Sequence, residues 1–370
     1  MTGSMTGSRL PVDARLLVTG GAGFIGSCFV RDVLARRDGT RITVIDKLTY
    51  AGNRTNLASV ERDSELAGRL TFVEGDIADA DLIERRVADA DAVVNFAAES
   101  HVDRSILDPE AFIRTGVIGV HVLLEAVRHE SERRGDAVRF VQVSTDEVYG
   151  SIPEGHVTET APLAPRSPYS AAKAAGDLLV GSYVVTHGVD ALITRGSNTY
   201  GPYQHPEKLV PLFITNAIDD LPLPLYGDGL QQREWLYVSD HAAAIEFVLR
   251  RGESGEIYNV AGSTELTNRE VVAALLARLG KPWSLVRSVP DRPGHDRRYG
   301  IDGSKLHALG WRHSTSFEAG VATTVDWFLE NDAWWRAIKA GDWDAYYERQ
   351  YGMRLAASQA AAEIVQPGQG

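Results

Sequence analysis

Tyr169 and Lys173 lie four residues apart in a stretch of helical pattern, so one helix face can present a phenol beside an ammonium. Such a pair can take a proton from a hydroxyl and return it. Lys173 is expected to hold a ribose and to lower the Tyr169 pKa toward neutrality, its charge outweighing the desolvation that raises it. Shortly upstream, Thr145-Asp146-Glu147 offers a second acid/base couple. Burial and mutual repulsion can keep Asp146 protonated while Glu147 ionises. Gly20, Gly23 and Gly26 follow the apolar run Leu16-Leu17-Val18 and open a helix whose N–H groups can face a pyrophosphate. Asp46 ends the next strand, where a carboxylate accepts hydrogen bonds from a ribose 2′-hydroxyl and repels a 2′-phosphate. The cofactor expected is NAD rather than NADP, although Lys47 beside Asp46 weakens the repulsion. Two proton-transfer couples and a hydride carrier suit oxidation, elimination and reduction of one bound sugar without net redox change.

These groups need elements to position them. Short β-branched runs alternate with amphipathic stretches through the first half. Strands are expected over Arg15–Thr19, Arg41–Asp46, Leu70–Glu74, Ala92–Phe96, Arg139–Ser144 and Ala191–Arg195. Helices are expected over Phe24–Arg36, Asp81–Ala88, Phe112–Glu132 and Tyr169–His187. The fold class is α/β, a doubly wound parallel sheet (Rossmann) with a smaller, discontinuous α/β substrate lobe. The NAD-binding domain is expected to comprise residues 15–199 and 238–262, with Ser239–Arg250 and Ile257–Val260 returning to it. The nucleotide-sugar-binding domain is expected to comprise 200–237 and 263–354, where Pro- and Gly-rich connectors appear. Residues 1–14, with Met1–Ser4 repeated as Met5–Ser8, and the Ala/Gln/Gly-rich tail 355–370 are expected to be flexible. Neighbours on a regular strand point to opposite faces. Thr145–Tyr149 should therefore be a turn or short helical segment that lets both carboxylates reach the sugar.

Composition narrows the partners. A 44% hydrophobic, 24% charged chain of 370 residues is an ordinary soluble composition, large enough for two lobes. A net charge of −12 argues against nucleic acid as partner and requires local cations for an anionic ligand. Cys28 alone permits no intrachain disulfide and suits a reducing compartment, so a cytoplasmic protein is expected. No apolar run is long enough to span a membrane. No metal site is indicated.

Several strings make the reading specific. They are Asp46–Asn53, Ala97–Ser105, Thr145–Gly150, Gly201–Gln204 with Pro206–Leu209, and Asp291–Tyr299, together with Tyr169-x-x-x-Lys173. In these the chain, from about Arg15 to Gly352, resembles the dTDP-glucose 4,6-dehydratases of the extended short-chain dehydrogenase/reductase family. The resemblance implies dTDP-glucose, or a related nucleotide sugar, as substrate. It implies that Tyr169 deprotonates the 4-hydroxyl with Thr145 bonding the same oxygen, Glu147 removes the C5 proton, and Asp146 protonates the departing C6 hydroxyl. Cofactor contacts are implied for the Gly20, Gly23, Phe24, Ile25 and Gly26 turn, for Asp46, Lys47, Leu48, Thr49 and Gly52, and for Asp76 and Ile77. Ala97, Ala98, Ser100, Thr115 and Thr199 complete that set. Substrate contacts are implied for His101, Asn198, Lys208, Leu209, Pro224, Tyr226, Arg233, Asn268, Arg292, His295 and Tyr351, with Arg233 and Arg292 suited to the diphosphate. The resemblance also implies a homodimer through Phe112–Glu132 and Tyr169–His187. Gly116 and Thr199 depart from the family pattern, each standing where an asparagine is usual. His241 falls outside these motifs and is read as a residue at a helix start. A nucleotide-sugar 4-epimerase needs only Tyr169, Lys173 and NAD; a non-catalytic NAD-binding regulator needs no proton-transfer group.

Overall fold

The computed structural model describes residues 10–291, 294–341, 343, 347–352 and 354–356. Arg292, residues 1–9 of the expected flexible start and residues 357–370 of the expected flexible tail lie outside them. The strands, in chain order, are β1 (Arg15–Thr19), β2 (Arg41–Asp46), β3 (Leu70–Glu74), β4 (Ala92–Asn95), β5 (Arg139–Thr145) and β6 (Ala191–Gly196). They continue with β7 (Asn198–Tyr200), β8 (Leu223–Tyr226), β9 (Gln232–Tyr237), β10 (Ile257–Val260), β11 (Thr264–Thr267) and β12 (Val286–Val289). Seven form one parallel sheet in the order β10-β6-β5-β4-β1-β2-β3. The order reverses between β1 and β4, and the crevice beyond their carboxyl ends is where such sheets bind ligands.

Both faces of this sheet are covered, which explains why its strands read as nearly unbroken apolar runs. Val18, Val44 and Val94 pack with Phe29, Val33 and Ile245 on one face. Leu17, Ile45 and Val93 pack with Leu123, Val127 and Val180 on the other. The helix Val238–Arg251 contributes Ile245 to the first face, and β10 extends the sheet beside β6. The chain thus returns to the large sheet as expected from its sequence. A second core gathers Tyr200, Phe213, Trp235, Val271, Leu275, Val325, Phe328 and Trp335 around a three-stranded sheet, β11-β9-β7, and the pair β12-β8.

The expected helix Phe112–Glu132 is broken. Helix Pro109–Ile113 gives way to a π-helical turn, Arg114–Gly119, and then to helix Val120–Arg134. Glycines permit this close packing. A Cβ on Gly119 would lie 2.4 Å from Cδ1 of Ile77, and one on Gly116 would lie 3.2 Å from Cβ of Ala172. Widened turns of this kind often mark functional sites.

Candidate active site

The glycine turn forms the floor of a cleft of about 290 Å³. Gly20 has φ 68°, and a Cβ there would lie 2.6 Å from the Ala97 nitrogen, so β1's exit meets β4's exit directly. A Cβ on Gly26 would lie 2.4 Å from the Gly20 oxygen. Gly23 caps helix Phe24–Ala35 without a side-chain bond, leaving its first N–H groups for a ligand. Asp46 accepts from the Ala22 N–H at 2.9 Å and the Leu48 N–H at 2.9 Å. Burial nevertheless holds its pKa above the ordinary value. Lys47 does not face Asp46: its Nζ donates to Asp76 at 2.8 Å. Burial opposes the ionised form of Asp76, but the bonds from Lys47 and the Ala78 N–H outweigh it and keep the pKa low.

The two acid/base couples meet at the other end of the cleft. The buried strand β5 runs one residue past its expected end, to Thr145, and a 3-10 turn covers Asp146–Tyr149. Thr145 caps that turn, its Oγ1 accepting from the Glu147 N–H at 3.3 Å and donating to Asp146 Oδ1 at 3.2 Å. Successive residues of a helical turn diverge by less than strand neighbours do, and both carboxylates line the cleft. Asp146 is 3% exposed, and its Oδ2 has no hydrogen-bond partner among the described residues. Burial, then the charges of Glu147 and Glu234, push its pKa well above the ordinary value.

Tyr169 and Lys173 stand on helix Pro168–His187, which starts with a Ser167–Ser170 capping box and a proline in its first turn. Lys173 Nζ donates to the Val143 carbonyl at 2.6 Å. Burial lowers its pKa to about 8, with the Asp177 charge opposing. The Tyr169 phenol departs from expectation. Burial and then the Glu147 charge raise its pKa far above the ordinary value, and the Thr145 hydroxyl only partly offsets them. Desolvation wins here, and the neighbouring carboxylates Glu147, Asp146 and Asp177 add to it.

Every residue implied as a cofactor contact lines the cleft except Leu48, whose N–H instead orients Asp46. Thr145, Asp146, Glu147, Asn198 and Lys208 line it too. The remaining substrate candidates among the described residues do not line it. Arg233, expected to meet a diphosphate, is 5% exposed and donates to the Gln232 and Asp296 carbonyls at 2.7 and 2.8 Å. Its guanidinium carbon sits 4.3 Å from the centre of the Tyr299 ring. Tyr226 donates to Asp103 at 3.1 Å, and its ring lies 6.0 Å from those of His295 and Tyr351. His295 Nδ1 lies 2.6 Å from Asp291. Pro224 belongs to β8, Leu209 starts helix Leu209–Ile218, and Asn268 starts helix Asn268–Leu279. His101 is buried, with Nδ1 4.0 Å from Asp103.

The cleft is also lined by four residues not expected there from the sequence: Glu99, Gln204, His205 and His241. Glu99 sits inside the Ala97–Ser105 string, so its neighbours already signalled it. His241 is more than a helix-start residue. It is buried and hydrogen-bonded to the Thr199 hydroxyl through Nδ1 at 2.8 Å, and burial lowers its pKa to about 4. Only the crossing of two distant segments brings that pair together.

A model of the family described as GDP-mannose 4,6 dehydratase matches residues 17–324. The chain belongs to this family of sugar-nucleotide 4,6-dehydratases. Within it, the chain is 52% identical over 334 residues to the dTDP-glucose 4,6-dehydratase of Streptomyces niveus, covering 89% of this chain and 96% of that one. It is 53% identical to the crystal structure of DesIV, the dTDP-glucose 4,6-dehydratase of Streptomyces venezuelae, solved with NAD bound. That match has a TM-score of 0.84 and covers 88% of this chain and 100% of the other. The UDP-glucose 4-epimerase of Thermus thermophilus, also in complex with NAD, is 35% identical, with a TM-score of 0.77 and coverage of 86% and 99%.

Proposed function

We propose that this chain is a dTDP-glucose 4,6-dehydratase, an NAD-dependent hydro-lyase that makes dTDP-4-keto-6-deoxyglucose and water. The observation that carries the reading is a buried Asp146, its pKa raised by burial and then by the Glu147 charge, adjacent to Glu147, both lining one cleft with Tyr169 and Lys173. An epimerase has no use for that carboxyl couple.

The cleft fits NAD on its own chemistry: glycines where a Cβ would collide, an uncapped helix start, and a buried carboxylate at Asp46. The glycine turn would hold the pyrophosphate, Asp46 the adenine ribose, and Lys173 the other ribose. NAD, when bound, supplies a hydride acceptor that gives the hydride back. Tyr169 removes the proton of the sugar 4-hydroxyl while the Thr145 hydroxyl bonds the 4-oxygen. Lys173, charged below a pH of about 8, supplies positive charge that a buried phenolate requires. Once C4 is a ketone the C5 hydrogen is acidic, and Glu147 takes it as general base. Asp146 gives its proton to the C6 hydroxyl, which leaves as water. Glu147 then returns a proton to C5 as reduction at C6 completes the product.

The same reading assigns residues 15–199 and 238–262 to NAD and 200–237 and 263–354 to the nucleotide sugar. Tyr226, His295 and Tyr351 form an aromatic group suited to the base, and Arg233 and Arg292 serve the diphosphate end. Two chains pair through their exposed apolar positions, among them Ile113, Ile118, Leu178 and Val185, on the helical segments from Pro109 and Pro168. The protein works in the cytoplasm. Among the described residues no helix is long and apolar enough to cross a membrane.

Incubating the purified chain with dTDP-glucose and identifying the product by NMR tests the proposal. The 4-keto-6-deoxy sugar is expected. Formation of the galactose isomer alone assigns an epimerase, and an unchanged substrate with bound NAD assigns a regulator.

A further inference from the structure

Three buried residues outside the reaction scheme, Asp177, Arg195 and Tyr149, connect its two acid/base couples. Tyr169, Lys173 and Asp177 are spaced four apart on one helix, so they share a face. Asp177 accepts from Nε of Arg195, on β6, at 2.9 Å. The same guanidinium turns its Nη1 to the Tyr149 hydroxyl at 2.8 Å, with its carbon 4.8 Å from the centre of that ring. Tyr149 ends the 3-10 turn that carries Asp146 and Glu147. Its hydroxyl donates onward to Asn259 Oδ1 on β10 at 2.8 Å. Asn259 Nδ2 in turn donates to the carbonyls of Val157 at 3.2 Å and Asp302 at 3.3 Å. Asp177, Arg195 and Tyr149 are each 3% exposed, and Asn259 is fully buried.

We propose that Arg195 is a positioning residue which, by bridging Asp177 and Tyr149, fixes the carboxylate turn relative to the Tyr169–Lys173 helix and so couples elimination to C4 oxidation. This rests on the dehydratase reading. Arg195 is paired in register with Ser144, one residue before the strand end that presents Thr145. Its planar fork serves two directions at once, which a lysine point charge cannot do with the same geometry. Structural stability alone does not call for such a pair, since well-packed apolar residues often replace buried ion pairs without loss. Elimination does call for it. The C5 base, the C6 acid and the 4-oxygen must meet one sugar ring in sequence, and a shift of about 1 Å can cost roughly a hundredfold in rate.

The test compares wild type, Arg195→Lys and Tyr149→Phe. Tyr149→Phe keeps the ring and its packing and removes only the hydroxyl. Two quantities are measured: the ratio of ketoglucose intermediate to 4-keto-6-deoxy product, and backbone amide exchange in substrate-free protein. We expect the elimination step to fall about tenfold relative to C4 oxidation in Tyr149→Phe, and further in Arg195→Lys. KM should stay near the wild-type value. Exchange should rise at the Gly150 amide, which bonds the Glu147 carbonyl at 3.2 Å, and stay unchanged in β1 and β4. A wild-type intermediate-to-product ratio in Tyr149→Phe overturns the proposal and leaves the dehydratase reading intact, even if Arg195→Lys fails to fold. Equal loss of both steps with exchange raised across the sheet also overturns it, since that is a structural role alone. A wild-type chain that makes no 4-keto-6-deoxy product removes the dehydratase reading and this role with it.

Discussion

The helix that carries Tyr169 and Lys173 and the turn that carries Asp146 and Glu147 solve the same problem in opposite ways. The helix runs twenty residues from Pro168 to His187, and its regular repeat sets the phenol–ammonium spacing. The turn is four residues long, and it works because a strand of seven buried residues stops at Thr145. One couple uses regular structure; the other uses the place where regular structure ends. Their electrostatics differ too. Burial favours the neutral form of every group it touches. That is an asset for Asp146 in its proposed role as an acid, and a burden for Tyr169 in its proposed role as a base. The acid can therefore work with an anion beside it, whereas the phenol depends on positive charge.

Breaking the helix couple should have the largest effect. Tyr169→Phe should lower C4 oxidation about a thousandfold, read as loss of all later steps in a single-turnover assay. An oxidation rate within tenfold of wild type would show that another group takes the 4-hydroxyl proton. Breaking the turn couple should be more selective. Asp146→Asn should slow water loss about a hundredfold while C4 oxidation changes little, so that a ketoglucose intermediate builds up in mass spectra. Glu147→Gln should suppress solvent exchange at C5, and normal exchange there would exclude it as the base.

Acidity sharpens the comparison. Asp146 must be protonated to act, so elimination should fall as pH rises through its raised pKa. Lys173 loses its charge above a pH of about 8, so C4 oxidation should weaken there. Measuring the two steps separately from acid to alkaline pH checks this. A Lys173→Met change that leaves the oxidation profile untouched would contradict the assignment to Lys173. The smallest effect expected is on stability. Gly116→Asn restores the usual family residue into a π-helical turn where a Cβ meets Ala172 at 3.2 Å. We expect a loss of about 1 kcal/mol, seen as a lower melting temperature. A rise would mean that Ala172 can yield the space.

Sequence made the large sheet legible because each strand is a local apolar run ended by a turn signal. Arg41–Asp46 and Leu70–Glu74 have the expected bounds, and β4, β5 and β6 end within one residue of theirs. The cofactor cleft was legible for the same reason: its residues come in contiguous strings after strand ends. Even the carboxylate turn could be anticipated, because two adjacent side chains on a strand cannot reach one sugar. What escaped was non-local. His241 meets Thr199 from 42 positions away, and Arg195 meets Tyr149 from 46. The raised Tyr169 phenol depends on how deeply the fold buries it and on the Glu147 charge beside it. The tight fit at Gly116 involves Ala172, a neighbour supplied by another helix. Arg233 showed its type in the sequence, but not the Gln232 and Asp296 carbonyls that bind it in place.

The most direct measurement follows the label in dTDP-glucose carrying deuterium at C4, incubated in ordinary water and read by NMR. This deuterium is expected to reappear at C6 of a 4-keto-6-deoxy product, with a solvent hydrogen at C5. Deuterium that stays at C4, in a sugar still carrying its 6-hydroxyl, would contradict it.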